Sequence, residues 1–162
     1  MRWIRHLKAS LQVRQLFPAK VLDAIQQAVA AGERRHTGQI CFAIEQTMPW
    51  RDLARGRSVR ERALEVFAYL RVWDTRHNSG VLLYVLVAEH AIEIVADRGI
   101  AARVAQDEWE SICEKMRERF AAGEYELGAM EGVNAVSDML ARNFPADGSE
   151  RANELSDAPV VL

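Results

Sequence analysis

The chain has few cysteines and no excess of charge of one sign. Its two cysteines, Cys41 and Cys113, are too few for a disulfide framework and too far apart in sequence for a structural zinc site. We expect both thiols to be reduced and packed as small apolar side chains. With 21 basic against 23 acidic residues, the chain also lacks the basic excess of proteins that bind nucleic acid through its phosphates. We therefore expect no nucleic-acid partner.

Long hydrophobic runs are absent as well. The longest apolar run, residues 81–88, is far shorter than the ~20 residues that cross a bilayer as a helix. Arg2, Arg5 and Lys8 interrupt the N-terminal segment, so no signal peptide is predicted. We expect no transmembrane segment and a cytoplasmic location. The sequence also contains no Asp-x-Asp motif and no His-x-x-x-His pair, so it names no catalytic residue and no organic cofactor.

Apolar residues recur at helical spacing in five segments. Residues 1–16 are predicted to form an amphipathic helical arm whose basic face contacts anionic lipid, or whose apolar face packs on its own domain. Further helices are predicted over residues 18–31, over residues 58–70 after a capping box, over residues 100–120 with a break near Ala105, and over residues 127–143.

Three segments have strand patterns: residues 39–46, 81–88 and 91–97. The helix between the first two strands predicts a right-handed crossover that makes them parallel, and the apolar second strand should be central. With 49% hydrophobic residues, the chain fits one compact α/β domain, here residues 17–145. Residues 47–56 are predicted to form a long, mobile loop, and the polar tail, residues 146–162, to be disordered.

The strongest candidate site is at the start of the second strand. The polar loop Asp74–Asn78 leads into that strand, and Asp97 ends the third. The second and third strands are expected to form a hairpin, in which the end of the third strand lies beside the start of the second. Asp97 and the loop should therefore share one rim of the sheet. Calcium prefers carboxylate, amide and carbonyl oxygens. We therefore predict a metal site for Ca²⁺ or Mg²⁺ formed by Asp74, Asn78 and Asp97.

The same residues also have structural interpretations. Asp74 suits a turn, Asn78 suits a left-handed turn position, and Asp97 suits a surface ion pair with Arg98 or Arg76. Glu45, at the end of the first strand, would join the rim only if that strand were antiparallel to its neighbour.

Several segments resemble the TPM domain family, which is named for a thylakoid lumen protein, a photosystem II accessory protein and a nematode receptor modulator. The most specific match is the run Asn78-Ser-Gly-Val-Leu-Leu83 with Ala96-Asp-Arg-Gly-Ile100 at hairpin distance. Weaker matches extend the resemblance over residues 31–40, 62–67, 109–120, 123–125 and 140–145. The chain looks like a soluble bacterial branch, because it departs from the many members that carry a signal peptide and a membrane anchor.

The resemblance implies a three-layer α/β/α sandwich around a small mixed β-sheet. It also implies one of two activities, since some relatives are described as calcium binders and others as acid phosphatases. We expect a ligand-binding or divalent-cation-binding module that acts with membrane-associated TPM or LemA-type proteins. The alternatives are a weak metal-assisted acid phosphatase and a pure protein-interaction domain.

Trp50 is the candidate for an interaction residue. It lies in a segment with Arg51, Arg55 and Arg57, and an exposed tryptophan among arginines is typical of an interface anchor. The alternative is that Trp50 folds back over the edge of the sheet, since tryptophan is usually well buried.

Overall fold

The structure is a computed structural model that describes residues 13–148 and 152–162. Its four-stranded sheet consists of β1 (Gln39–Glu45), β2 (Gly80–Leu86), β3 (Ala91–Ala96) and β4 (Val160–Val161), in the spatial order β3-β2-β1-β4. As predicted, β1 and β2 are parallel, and β2 and β3 form an antiparallel hairpin. The hairpin turns through a short 3₁₀ helix, Val87–Glu89, with His90 in the left-handed region.

Seven α-helices belong to the described part of the chain. They are α1 (Val13–Leu16), α2 (Ala19–Glu33), α3 (Trp50–Ala54), α4 (Val59–Tyr69), α5 (Arg98–Ala101), α6 (Gln106–Ala121) and α7 (Tyr125–Asn143). The predicted capping box opens α4, because Ser58 Oγ accepts from the Glu61 amide and the Glu61 carboxylate accepts from the Ser58 amide. The predicted break near Ala105 separates α5 from α6.

Alternating side chains of the sheet build a hydrophobic core on each face. Ile40, Phe42 and Ile44 point to the first core, which also holds the apolar sides of α2, α6 and α7. Cys41 and Ala43 point to the second core, with residues of α3 and α4. Every residue of β2 is buried, as expected for a central strand covered on both faces. The fold is the predicted three-layer α/β/α sandwich around a mixed sheet.

The C-terminal tail differs from its prediction. Residues 152–162 are placed in the structure, and β4 at their end pairs in parallel with Ala43 and Ile44 of β1. Leu155, Val160 and Leu162 pack against the second core. The prediction of disorder over residues 146–162 is therefore wrong for this segment, because a few apolar residues at its end outweigh its polar composition.

One further segment differs from its prediction, and another is only partly described by the structure. The predicted loop, residues 47–56, contains α3, and Leu53 and Asp52 of this helix are buried. Residues 1–12 of the predicted arm lie outside the described part of the chain. Its last residues form α1, with Val13 buried in the first core.

Candidate functional site

The segment between α4 and β2, residues 70–79, is a run of turns that ends in polar residues. Arg71 and Asn78 both have positive φ, at 55° and 52°. The Thr75 hydroxyl accepts a hydrogen bond from the Ser79 amide at 2.9 Å, and both side chains are buried. A Cβ at Gly80 would lie 1.9 Å from the Val72 carbonyl oxygen, so glycine is required where the turn enters the strand.

Asp97 and Asn78 meet at the edge of the sheet where β2 begins and β3 ends. The Asp97 amide donates to the Gly80 carbonyl oxygen at 2.8 Å, and the Gly99 amide donates to the Asn78 carbonyl oxygen at 3.0 Å. The hairpin thus brings Asp97 to the loop, as its antiparallel register requires. Asp97 also caps α5, because its Oδ1 atom accepts from the Arg98 amide at 2.7 Å.

The second carboxylate oxygen of Asp97 has no protein partner. Asp97 Oδ2 is buried and makes no hydrogen bond. The neighbouring backbone is crowded with oxygens, since a Cβ at Gly99 would lie 2.6 Å from the carbonyl oxygens of both His77 and Asn78. A buried carboxylate oxygen without a partner is costly in free energy. Asp97 therefore supplies a free anionic oxygen beside the loop.

Asp74 lies apart from this pair. Its carboxylate accepts a hydrogen bond from Arg71 at 2.6 Å, and both side chains are largely exposed. Asp74 lines a cleft whose lining includes neither Asn78 nor Asp97. The structure therefore brings together Asn78 and Asp97 of the predicted metal site, whereas Asp74 lines the neighbouring cleft. The left-handed conformation of Asn78 and the turn closed by the Asp74 amide on the Arg71 carbonyl oxygen match the structural interpretations given above. The surface ion pair suggested for Asp97 with Arg98 or Arg76 is wrong, because Asp97 instead caps α5 and forms no salt bridge with another described residue.

The cleft beside Asp74 has a volume of about 600 Å³. His77 and Ser79 of the loop line it, together with Gln39 of β1. The C-terminal segment forms its other wall. Gln39 Oε1 accepts from the amides of Glu154 and Leu155 at 2.9 and 3.0 Å, and Glu154 Oε2 accepts from the Arg76 amide at 2.6 Å. This wall was not predicted, because the polar composition of the tail indicated disorder.

Glu45 is at the opposite end of the sheet and does not join the rim. It is buried, and its carboxylate accepts two hydrogen bonds from Arg62, at 2.9 and 2.7 Å, and one from the Tyr84 hydroxyl at 2.5 Å. Burial and the neighbouring Glu45 charge raise the pKa of Tyr84 well above its usual range. Each oxygen of Glu45 is satisfied within the protein, so this network is a structural one.

The two cysteines are poorly suited to nucleophilic chemistry. Burial raises the pKa of the Cys41 thiol and of the Cys113 thiol to about 11. Cys113 and Arg119 have the Cys-x5-Arg spacing of some phosphatases, but both lie within α6, where no loop encloses a phosphate. Residues 13–148 and 152–162 contain no cluster of three or more His, Cys, Asp or Glu side chains placed to hold a metal ion. A cation at the rim would therefore need carbonyl and amide oxygens in addition to Asp97.

Trp50 is exposed. Two thirds of its surface is open to solvent, at 66%, and the Arg51 guanidinium lies 5.5 Å from its ring centre. Of the two interpretations of Trp50 from the sequence, the structure has the exposed one. Its role as an interaction residue stays a prediction.

Comparison with known proteins identifies the family. A model of the TPM domain matches residues 12–139, which is most of the chain. The chain belongs to the TPM domain family. This TPM domain is similar to the NMR structure of the BA42 protein from the psychrophilic bacterium Bizionia argentinensis, with 27% identity and a TM-score of 0.78. The match covers 90% of this chain and 94% of BA42. The comparison with curated proteins finds no match.

The family match covers both parts of the rim, since residues 74–80 and 97–99 fall inside the matched range. The cleft wall at Asp147 and Glu154 falls outside it. Among the helices of the described ranges, none is long and apolar enough to span a bilayer.

Proposed function

We propose that this TPM domain is a divalent-cation-binding module, with Ca²⁺ or Mg²⁺ bound at the rim where Asp97 meets the loop Asp74–Asn78. The unpartnered Oδ2 atom of Asp97 is the observation that carries the proposal. A hard cation would provide this oxygen with the partner that it lacks within the protein. As the sequence resemblance implies, the module would act with membrane-associated TPM or LemA-type partners.

The surrounding groups have the chemistry of a calcium site. The carbonyl oxygens of His77 and Asn78 lie close to Gly99, two residues after Asp97, and a side chain at Gly99 would collide with both of them. The Asn78 side chain carries a further amide oxygen on the same loop. Asp74, four residues before Asn78 in the same loop, would supply a further carboxylate, directly or through water, by exchanging its ion pair with Arg71 for the ion.

The test is a titration of the protein with Ca²⁺, and separately with Mg²⁺, followed by amide NMR shifts. We expect shifts at residues 74–80 and 97–99. Asp97→Asn should weaken binding roughly tenfold or more, because it removes the anionic ligand while asparagine still caps α5. Asp107→Asn is a matched control, since Asp107 also accepts from the amide of the next residue, Glu108, at 3.1 Å near the start of a helix.

Three results would contradict the proposal. The first is equal affinity in wild type and Asp97→Asn. The second is a set of shifts confined to residues 146–162, which would indicate binding by the acidic tail alone. The third is an equal loss of affinity in Asp107→Asn, which would indicate a general charge effect.

A metal-assisted phosphatase is the second candidate, and the cleft is the observation that favours it. His77 and Asp74 line this cleft together, which places a titratable imidazole near a potential metal ligand. Assays of a generic phosphate ester with and without the metal distinguish the two functions. Turnover that is lost in Asp74→Asn would support the enzyme, and binding without turnover would support the module.

A further inference from the structure

Most of the large exposed apolar side chains of the described residues lie on α3, on α4 or in the turn that follows α4. Among the described residues, six large apolar side chains are exposed, and four of them lie between residues 50 and 73. These four are Trp50, Leu64, Tyr69 and Trp73, with exposed fractions of 66%, 47%, 75% and 49%. We call this surface the aromatic face. Exposed tryptophan and tyrosine in such a concentration mark an interaction surface.

Arginines accompany the aromatic rings. The Arg51 guanidinium lies 5.5 Å from the ring centre of Trp50, and that of Arg71 lies 5.9 Å from the ring centre of Trp73. Arg51, Arg55 and Arg76 are exposed and form no salt bridge within residues 13–148 and 152–162. Arg51 is thus available beside the Trp50 ring, where it would meet an anion, whereas Arg71 beside Trp73 also binds Asp74.

Charge differs between the segment that carries the aromatic face and the helix pair α6 and α7. Residues 50–76 carry seven arginines and four carboxylates, for a net charge of +3, although the whole chain has a net charge of −2. Residues 106–143, which contain α6 and α7 on the other side of the sheet, carry nine carboxylates and four basic residues, for a net charge of −5. A negatively charged surface would therefore attract residues 50–76 and repel the surface formed by α6 and α7.

We propose that the aromatic face binds the headgroup region of an anionic lipid bilayer. Tryptophan and tyrosine favour the membrane–water interface, and arginines beside them meet lipid phosphates. The rings are spread from Trp50, at the start of α3, to Trp73, beyond the end of α4, which itself extends about 16 Å. A protein hot spot would instead gather its anchors at one centre. A spread of amphipathic rings along one helical layer fits a broad lipid surface better.

Flotation of the full chain with vesicles tests this proposal. We expect no binding to pure phosphatidylcholine, binding that grows with the fraction of phosphatidylglycerol, and loss of binding at high salt. Trp50→Ser with Trp73→Ser should weaken binding roughly tenfold or more, because both exposed rings are lost. Arg51→Gln with Arg55→Gln should weaken it about 25-fold, at roughly fivefold for each arginine.

Leu127→Ser with Arg142→Gln is the matched control. Leu127 is an exposed apolar residue of α7, and Arg142 is an exposed cation of the same helix, so this variant should bind like wild type. All substituted side chains are exposed, and circular dichroism melting would confirm that each variant folds.

Three results would overturn the proposal. The first is an absence of binding at every phosphatidylglycerol fraction, or equal binding to pure phosphatidylcholine. The second is unchanged vesicle binding after loss of Trp50 and Trp73, which would place the contact elsewhere, for example in residues 1–12. The third is binding to soluble polyglutamate without binding to vesicles, which would assign the face to an acidic protein.

Discussion

Replacement of Glu33 by glutamine should stabilise the protein at high pH. Glu33 ends α2, and its Oε1 atom accepts from the Ile40 amide at 2.6 Å. Burial raises the pKa of this carboxyl from its ordinary value of 4.5 to about 7, while the hydrogen bond from Ile40 lowers it and the nearby Asp157 charge raises it further. Glutamine keeps an oxygen that accepts from Ile40 and removes the buried charge.

The magnitude follows from the two pKa values. Because the folded pKa lies above the unfolded one, the folded state holds a proton that the unfolded state releases between pH 4.5 and about 7. Stability from this group is complete below pH 4.5 and is lost as the pH rises through about 7. At ~1.4 kcal/mol for each pKa unit, the loss approaches about 3 kcal/mol. Glu33→Gln should recover most of this free energy above pH 7.

Urea unfolding of wild type and Glu33→Gln, measured from pH 4 to pH 9, tests this prediction. The difference in free energy of unfolding should be small near pH 4 and should grow toward pH 8. Asp23→Asn, on an exposed position of the same helix, should show no such growth. Asp157→Asn should show a smaller increase of the same sign. Parallel stability curves for wild type and Glu33→Gln would refute the reasoning.

Two further predictions concern buried charge. Burial lowers the pKa of His36 to about 4, so the unfolded state binds more protons than the folded state between pH 4 and 6.5. Acidification through this range should therefore lower the free energy of unfolding by up to about 3 kcal/mol. Urea unfolding of Glu33→Gln would show this loss, because the opposing titration of Glu33 is absent from that variant. If His36→Gln in that background retains the full acid loss, another group is responsible. Arg62→Met should cost about 3–5 kcal/mol, since it leaves Glu45 buried without its partner, and should lower the thermal midpoint by about 10 °C. Thermal melts should show most of this loss recovered when Glu45→Leu is added, and no recovery would contradict a penalty from unpaired charge.

The positions of most elements could be predicted from the sequence, because their signals are local. The capping box at Ser58 and Glu61 started a helix as predicted, and the fully apolar β2 was central. The crossover helix between β1 and β2 made those strands parallel, which in turn placed Glu45 at the far end of the sheet from Asp97.

Only part of the candidate site could be predicted from the sequence. The hairpin register brought Asp97 to the loop at Asn78, as a two-strand argument can predict. The cleft depended on Gln39 holding the amides of Glu154 and Leu155, more than a hundred residues away. The polar composition of the tail predicted disorder. Composition contains no information about the free edge of β1, with which the end of the tail pairs.

The sequence by itself determined the local elements, the pairing of β2 with β3 and the family resemblance, because each depends on neighbouring residues and fixed periodicities. The tertiary structure decided which charges are buried, which oxygens lack partners and which aromatic rings face the solvent. Those properties depend on packing between residues distant in the chain, such as the tail against β1 and α4 against the sheet. Burial and desolvation arise only from that packing, and they set both the pKa values and the candidate sites.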